Sequence, residues 1–374
     1  MAENQSSPAA YESFDKLEAF MRDIFIKSGV PEGDAAICAE VLIESDKRGI
    51  DSHGIGRFKP IYIDRINEGI QNPVTQFEII KEGPATAVVD GHDGMGHVIG
   101  KRSMQMAIDK ARAYGMGMVA VRNSTHYGIA GYYATMAAKA GMIGITGTNA
   151  RPSIAPTFGV ENMLGTNPLT VGAPTDEAFP FVLDCSTAVS QRGKIEHYER
   201  MGKTMPEGWV IDANGDNETD PSVALKGFGL GTHALAPLGG VGVETAGYKG
   251  YGYATVVEIL SASLQQGRFL KALNGMDEQG GKRPYGLGHF FIVIDVGAFT
   301  DPAAFRRTTG EILRELRASA KAPGQHRIYT AGELEYLAWL ERSKTGVPLN
   351  ESLKKTLLGL RDEYGLREYT FSFE

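Results

Sequence analysis

The spacing of apolar residues changes character twice along this chain, and that double switch limits the folds open to it. Between residues 14 and 48 they return at helical intervals: Leu17, Phe20, Met21, Ile24 and Phe25 mark one helix, and Ala36, Ala39, Leu42 and Ile43 a second behind Pro31 and Glu32. A third helix over residues 58–68 carries Ile61, Tyr62, Arg65 and Ile66 and stops at Gly69. At 85–90 the pattern becomes strand-like. Similar runs recur at 118–121, 141–148, 180–184 and 289–294, with helical stretches at 103–114, 132–140 and 255–264 between them. From Pro302 onward helical spacing returns, at 333–342 and 353–360. The chain therefore reads as α/β (α+β), with a helical part over 1–80, a central sheet region over 81–300 and a closing helical layer over 301–374.

Composition narrows the partners. With 374 residues, 42% of them apolar, the chain can bury a substantial core. A net charge of -7 with no basic stripe makes nucleic acid and anionic membranes poor partners. The first residues have no basic n-region or apolar h-region, and no later run reaches the roughly 18 apolar residues of a membrane span, so cytoplasm is the expected location. Cys38 and Cys185 are the two cysteines, too few for a disulfide framework. Both are expected to be reduced.

Chemistry concentrates where helix gives way to glycine. In Gly49-Ile50-Asp51-Ser52-His53-Gly54-Ile55-Gly56-Arg57 an imidazole that titrates near neutrality stands close to a guanidinium whose planar fork matches a carboxylate. A second His, His126, sits at a strand-to-helix junction in Asn123-Ser124-Thr125-His126-Tyr127-Gly128. Asp184 ends a strand; its plain role is to cap the following helix, its functional one to orient a His or meet a cofactor. Arg192, Lys194 and Lys203 in a polar, turn-rich stretch, and Lys249 among glycines at 235–252, could meet phosphates or simply face water. The glycines at 91, 94, 96 and 100 fit a dinucleotide fingerprint poorly and read better as closing a tight turn.

Four readings compete for these residues. A metal site finds no His-x-x-x-His or Cys-x-x-Cys, and a serine nucleophile at Ser52 or Ser186 lacks a Gly-x-Ser-x-Gly elbow. A non-catalytic small-molecule binder explains the glycines without the histidines. An acid/base His with an Arg clamp and a phosphate cradle uses all of them, and it requires a hydride carrier.

Taken as an ordered set, the motifs resemble the second type of malate/L-lactate dehydrogenase, a family of NAD(P)-dependent oxidoreductases distinct from the Rossmann-fold enzymes of those names. The set comprises Asp51-Ser52-His53-Gly54 with Arg57, the His126 motif, Gly165-Thr166-Asn167-Pro168, Asp184-x-Ser186-Thr187, Arg192-Gly193-Lys194-Ile195, Pro206-Glu207-Gly208-Trp209, Pro237-Leu238-Gly239-Gly240, Tyr248-Lys249-Gly250 and Ala331-Gly332-Glu333.

The resemblance spans about residues 17–366. It implies a helical domain built from both chain ends, an inserted cofactor domain on a largely antiparallel, non-Rossmann sheet, and a homodimer with its active site near the interface. It implies too that His53 and His126 are the acid/base candidates, His53 first, with Asp184 as orienting group. Arg57 then clamps the substrate carboxylate beside Ser52. Thr148, Asn149, Asp184, Cys185, Ser186, Lys194, Tyr248, Lys249, Gly332 and Glu333 fall at cofactor-contacting positions. NAD is the expected cofactor, NADP remains open, and no metal is expected.

Two departures from the common pattern are the insertion at 241–247 and Arg151, a second cation that would suit a dicarboxylate. Malate and oxaloacetate are therefore the expected substrates. Lactate, ureidoglycolate, sulfolactate, a diketo sugar acid and a cyclic imine are the alternatives within the family, and nucleotide binding without turnover is the alternative outside enzymes.

Overall fold

The computed structural model describes residues 10–374. A short strand, β1 (Ala10–Glu12), leads into α1 (Phe14–Lys27), which Ser13 caps by accepting a hydrogen bond from the Lys16 N–H. Leu17, Phe20, Met21, Ile24 and Phe25 are buried on one stripe, the face legible in the sequence. Helix α2 (Glu32–Lys47) lays Ala35, Cys38, Ala39, Leu42 and Ile43 into the same core. A turn follows, and then a composite helix: α3 (Ile55–Arg57), six residues of π-helix at Phe58–Ile63, and α4 (Asp64–Asn67).

The middle of the chain builds the sheet. In order come β2 (Glu78–Glu82), β3 (Thr86–Asp90), α5 (Gly96–Tyr114), β4 (Met116–Ser124), α6 (Ala130–Lys139), β5 (Ile143–Thr148), β6 (Leu169–Ala173) and β7 (Phe181–Cys185). A smaller lobe follows with α7 (Arg192–Arg200), β8 (Val210–Ile211), α8 (Pro221–Leu230), β9 (Ala234–Leu235) and α9 (Gly247–Ala262), before β10 (Leu287–Ile294) re-enters the sheet. The chain closes with α10 (Pro302–Ala318), α11 (Glu333–Thr345), β11 (Val347–Leu349) and α12 (Glu351–Glu363).

Seven strands pair in the order β2-β3-β4-β10-β5-β6-β7. β3 and β4 run parallel because α5 crosses over between them; the remaining neighbours are antiparallel, as expected from the resemblance. Helices α5 and α6 cover one face, packing Ile99, Met104, Ala107 and Tyr133 against Val119, Val121, Phe291 and Val293. Both chain ends meet in a separate core: β1 pairs with β11, and Leu357, Leu360, Leu366 and Phe371 pack among the side chains of α1 and α2. Phe20 is gripped edge-on by Tyr369 at 5.2 Å and by Phe371 at 5.3 Å. Full burial of such a side chain is worth roughly 1.5–3 kcal/mol, which fastens the C-terminal segment over the N-terminal helices. A third cluster, including Ile154, Leu164, Ile195, Val210 and Leu235, holds the small lobe together.

Three local readings change. Gly96 and Gly100 lie inside α5 and close no turn. A Cβ on Gly96 would stand 2.4 Å from the His126 carbonyl oxygen, and one on Gly100 would enter the Tyr133 ring, so these glycines let the helix pack against the His126 segment and α6. The stretch after Gln191, read as turns, contains the amphipathic helix α7, whose single buried side chain, Ile195, left too little periodicity to detect. Asp184 lies within β7, and the helix that it caps is α6, far earlier in the chain.

Candidate active site

Between α2 and α3 the chain must reverse in a few residues, and a buried carboxyl organises the turn. Asp46, 1% exposed, accepts a hydrogen bond from the Ile55 N–H at 2.8 Å. It crowds Gly54 so closely that a Cβ there would lie 2.0 Å from its oxygen. Burial pushes the Asp46 carboxyl up to about 8, with the Asp51 charge adding to the effect and the Ile55 hydrogen bond and Arg342 opposing it. Asp51 itself faces away, ion-paired with Arg342 of α11 at 2.9 Å. On this clasped turn the Ser52 hydroxyl meets His53 Nδ1 at 2.9 Å, and Arg57 Nε donates to the Ser52 carbonyl at 2.8 Å. Among the described residues no carboxylate pairs with Arg57, so its terminal nitrogens remain available to an anion.

β4 delivers the second imidazole. The His53 and His126 rings stack with centroids 5.7 Å apart and planes at 23°. Tyr62, fully buried in the π-helix, brings its hydroxyl to 2.6 Å from His126 Nδ1, and the Gly128 amide nitrogen lies 3.2 Å from the same ring nitrogen. His126 Nε2 is thereby left as the ring nitrogen free to address a ligand. Burial holds His126 well below the ordinary histidine value, and the neighbouring His53, Arg65, His97 and Arg57 add to the effect. His53 is also pushed down by burial, but the Asp184 charge partly restores it. His97 lies tilted against Tyr62, ring centres 4.5 Å apart, and is driven by burial down to about 3, so it stays neutral.

Asp184 is anchored by two hydrogen bonds, accepting from the Gly131 N–H at 2.7 Å and from the Thr170 hydroxyl at 2.9 Å. It borders a cleft of about 240 Å³ that also touches Arg48, Gly131 and Gly332. One wall is an aromatic ladder, with Phe179 on Tyr336 at 5.2 Å and Tyr336 on Trp339 at 6.0 Å. Flat apolar walls with a few polar groups at the rim fit a heterocyclic cofactor fragment. Arg48, which the sequence reading passed over, fixes this rim by donating to the Thr135 hydroxyl at 3.0 Å and to Glu44 at 3.2 Å.

Other expected contacts scatter. Thr148 is buried, its hydroxyl 2.8 Å from His289 Nδ1. Asn149 is fully buried, donating to Glu258 and to the Arg268 carbonyl and accepting from the Gly288 N–H, which engages its whole amide. Glu333 is 2% exposed; burial raises its carboxyl, but the Thr330 N–H and Arg327 outweigh that and hold it low. Cys185 is a free, partly buried thiol, and the Ser186 hydroxyl accepts from the Ala188 N–H at 2.9 Å. In the small lobe, Lys194 lies over Trp209 at 4.5 Å, while Tyr248 and Lys249 open α9 exposed. Arg151 is exposed and close enough to Arg65 to disfavour its charge. In the sequence Tyr62 and Arg65 show only as periodic helix positions.

A model of the malate/L-lactate dehydrogenase family matches residues 13–358. The chain belongs to that family. It is 42% identical over 352 residues to a malate dehydrogenase of Pyrococcus horikoshii, covering 94% of this chain and 95% of that one. It is 40% identical over 346 residues to an L-sulfolactate dehydrogenase of Methanocaldococcus jannaschii, covering 92% and 94%. The crystal structure of a malate dehydrogenase from Entamoeba histolytica superposes with a TM-score of 0.92 at 45% identity, covering 96% of this chain and 99% of that one. The protein is thus an oxidoreductase acting on a CH–OH group. Among its described residues no helix is long and apolar enough to cross a membrane.

Proposed function

We propose that this enzyme interconverts an L-2-hydroxy acid and its 2-oxo acid with a nicotinamide dinucleotide, and that malate and oxaloacetate are its substrate pair. The observation that carries the reading is the stacked pair His53 and His126, 5.7 Å apart, beside a guanidinium that no carboxylate of the described residues pairs with. Arg57 pairs with the substrate carboxylate and fixes C2 against the imidazoles. When bound, the dinucleotide supplies or accepts the hydride, which no side chain can do.

His126 is our choice of proton carrier, ahead of His53, and Tyr62 is the reason. To act as a base at Nε2, neutral His126 carries its proton on Nδ1 and donates it to the Tyr62 oxygen across the 2.6 Å contact, an arrangement that stays the same when Nε2 takes the substrate proton. Burial is the largest cause of the low His126 basicity; substrate carboxylates near Arg57 and Arg65 offset the further lowering that those two cations add. His53, steadied by Ser52 and Asp184, completes the hydrogen bonding to the oxygen.

For the cofactor, Glu335 at the cleft margin has no cation within ion-pair distance among the described residues, and such a carboxylate suits ribose hydroxyls better than a 2′-phosphate. NAD is therefore the first candidate. Asp184, Gly332 and the Arg48 rim are the contacts that we assign to it. Tyr253, Val256 and Ile259 expose 56%, 46% and 52% of their surfaces along α9, which supports a homodimer; two free cysteines suit a reducing cytosol.

The test is a panel assay that follows NADH and NADPH oxidation with oxaloacetate, pyruvate, sulfopyruvate and a cyclic imine acid. Oxaloacetate with NADH is expected to give the highest kcat/KM. Cofactor oxidation with none of the four refutes the reading.

A further inference from the structure

One turn beyond Tyr62, Arg65 carries a guanidinium that the family motifs do not account for. Its Cζ lies 4.4 Å from the centre of the Tyr285 ring, a cation–π contact that holds the guanidinium in place. The side chain is partly buried, yet no carboxylate of the described residues lies within ion-pair distance of it. A desolvated cation without a counter-ion is unfavourable, and here two more cations, Arg57 and the exposed Arg151, stand on the same site. The acids nearby are outnumbered: Glu68 acts on Arg65 only as its smallest influence, and Asp184 acts on His53.

The π-helix explains how one short helix supplies so much of the site. Because its turn holds more residues than an α turn, Arg57, Tyr62 and Arg65 all act on His126: Tyr62 by its hydrogen bond, the two arginines by charge. A substrate with a single carboxylate satisfies Arg57 and leaves Arg65 uncompensated. One with a second anionic group satisfies both.

We infer that Arg65 is the specificity-determining clamp for a second anionic group, a carboxylate or a sulfonate, carried on the carbon next to the hydroxyl-bearing one. This deepens the proposed 2-hydroxy-acid reading and rests on it. Arg57 reads the carboxylate that every substrate of this class shares. Arg65 reads the one that separates a dianion from a simple 2-hydroxy acid. Arg151, being exposed, draws anions toward the mouth of the site and leaves the selection to Arg65.

The experiment compares wild type with Arg65→Met, which keeps an unbranched apolar stem but removes the charge, and Arg65→Lys, which keeps the charge but loses the fork. The readout is the ratio of kcat/KM for oxaloacetate and sulfopyruvate to that for pyruvate, at fixed reduced cofactor. Arg65→Met is expected to lower the ratio of each dianion value to the pyruvate value at least about thirtyfold, with Arg65→Lys in between. Equal losses for all three substrates would make Arg65 a packing residue and overturn the inference, as would an unchanged ratio. A wild-type enzyme that reduces pyruvate but neither dianion overturns the clamp while sparing the dehydrogenase reading; one that reduces none of the three overturns both. Oxaloacetate and sulfopyruvate together tell a carboxylate-selective clamp from one that accepts either anion.

Discussion

Replacing Asp46 by Asn tests whether a protonated carboxyl holds the His53 turn. Asp46 is 1% exposed and its carboxyl is raised from 3.8 to about 8, so near neutrality the folded protein keeps a proton there that the unfolded chain has released. The sign follows from linkage. An acid whose folded value is raised contributes its full stability below the unfolded value and loses it as the pH climbs through the folded one. At about 1.36 kcal/mol per unit, moving from about pH 5 to about pH 7.5 costs the wild type roughly 3 kcal/mol that the Asn variant, which cannot ionise, does not lose. Asn retains an acceptor for the Ile55 N–H, so the turn itself is preserved. Urea unfolding of both proteins at the two pH values gives the comparison. The stability of Asp46→Asn relative to wild type should increase by about that amount at the higher pH. A difference independent of pH would mean that Asp46 is ionised in the folded protein and balanced by Arg342, contrary to the argument.

Further predictions concern the site directly. Tyr62→Phe should lower kcat about tenfold in both directions with little change in KM, because the hydroxyl at 2.6 Å orients His126 and touches no substrate; an unchanged kcat in steady-state assays would remove Tyr62 from that role. Arg57→Ala should raise KM for oxaloacetate and pyruvate alike, since both present the carboxylate that it clamps, and a selective loss for one of them would contradict its assignment. Gly96→Ala should destabilise the protein by about 1–3 kcal/mol and depress turnover, its methyl falling 2.4 Å from the His126 carbonyl oxygen. Normal denaturant stability and activity for that variant would refute the close-packing argument.

Much of the architecture was legible because amphipathic periodicity is local. The stripe Leu17, Phe20, Met21, Ile24 and Phe25 is visible in one window of sequence, and so are the strand runs that became β3, β4 and β10. Glycines misled where their purpose was contact at a distance: nothing near Gly96 announces that the His126 carbonyl will lie against it. His53, Arg57 and His126 stood out because their chemistry is unusual beside glycine. Tyr62 and Arg65 did not, since a π-helix shifts the register by which helical faces are read, and a single sequence carries no mark of that shift. Asp184 drew attention as an acid at a strand end, yet its partner at the start of α6 is 53 residues away in the chain, and pairings of that range leave no local trace.

The most direct test of the account is label transfer. Reduced cofactor carrying deuterium at the transferable position is incubated with oxaloacetate, and the product is analysed by mass spectrometry and NMR. L-malate labelled at C2 is the expected product, formed by the wild type and slowed about a hundredfold or more in His126→Asn. Unlabelled product, or a His126 variant that transfers deuterium as fast as the wild type, would contradict the account.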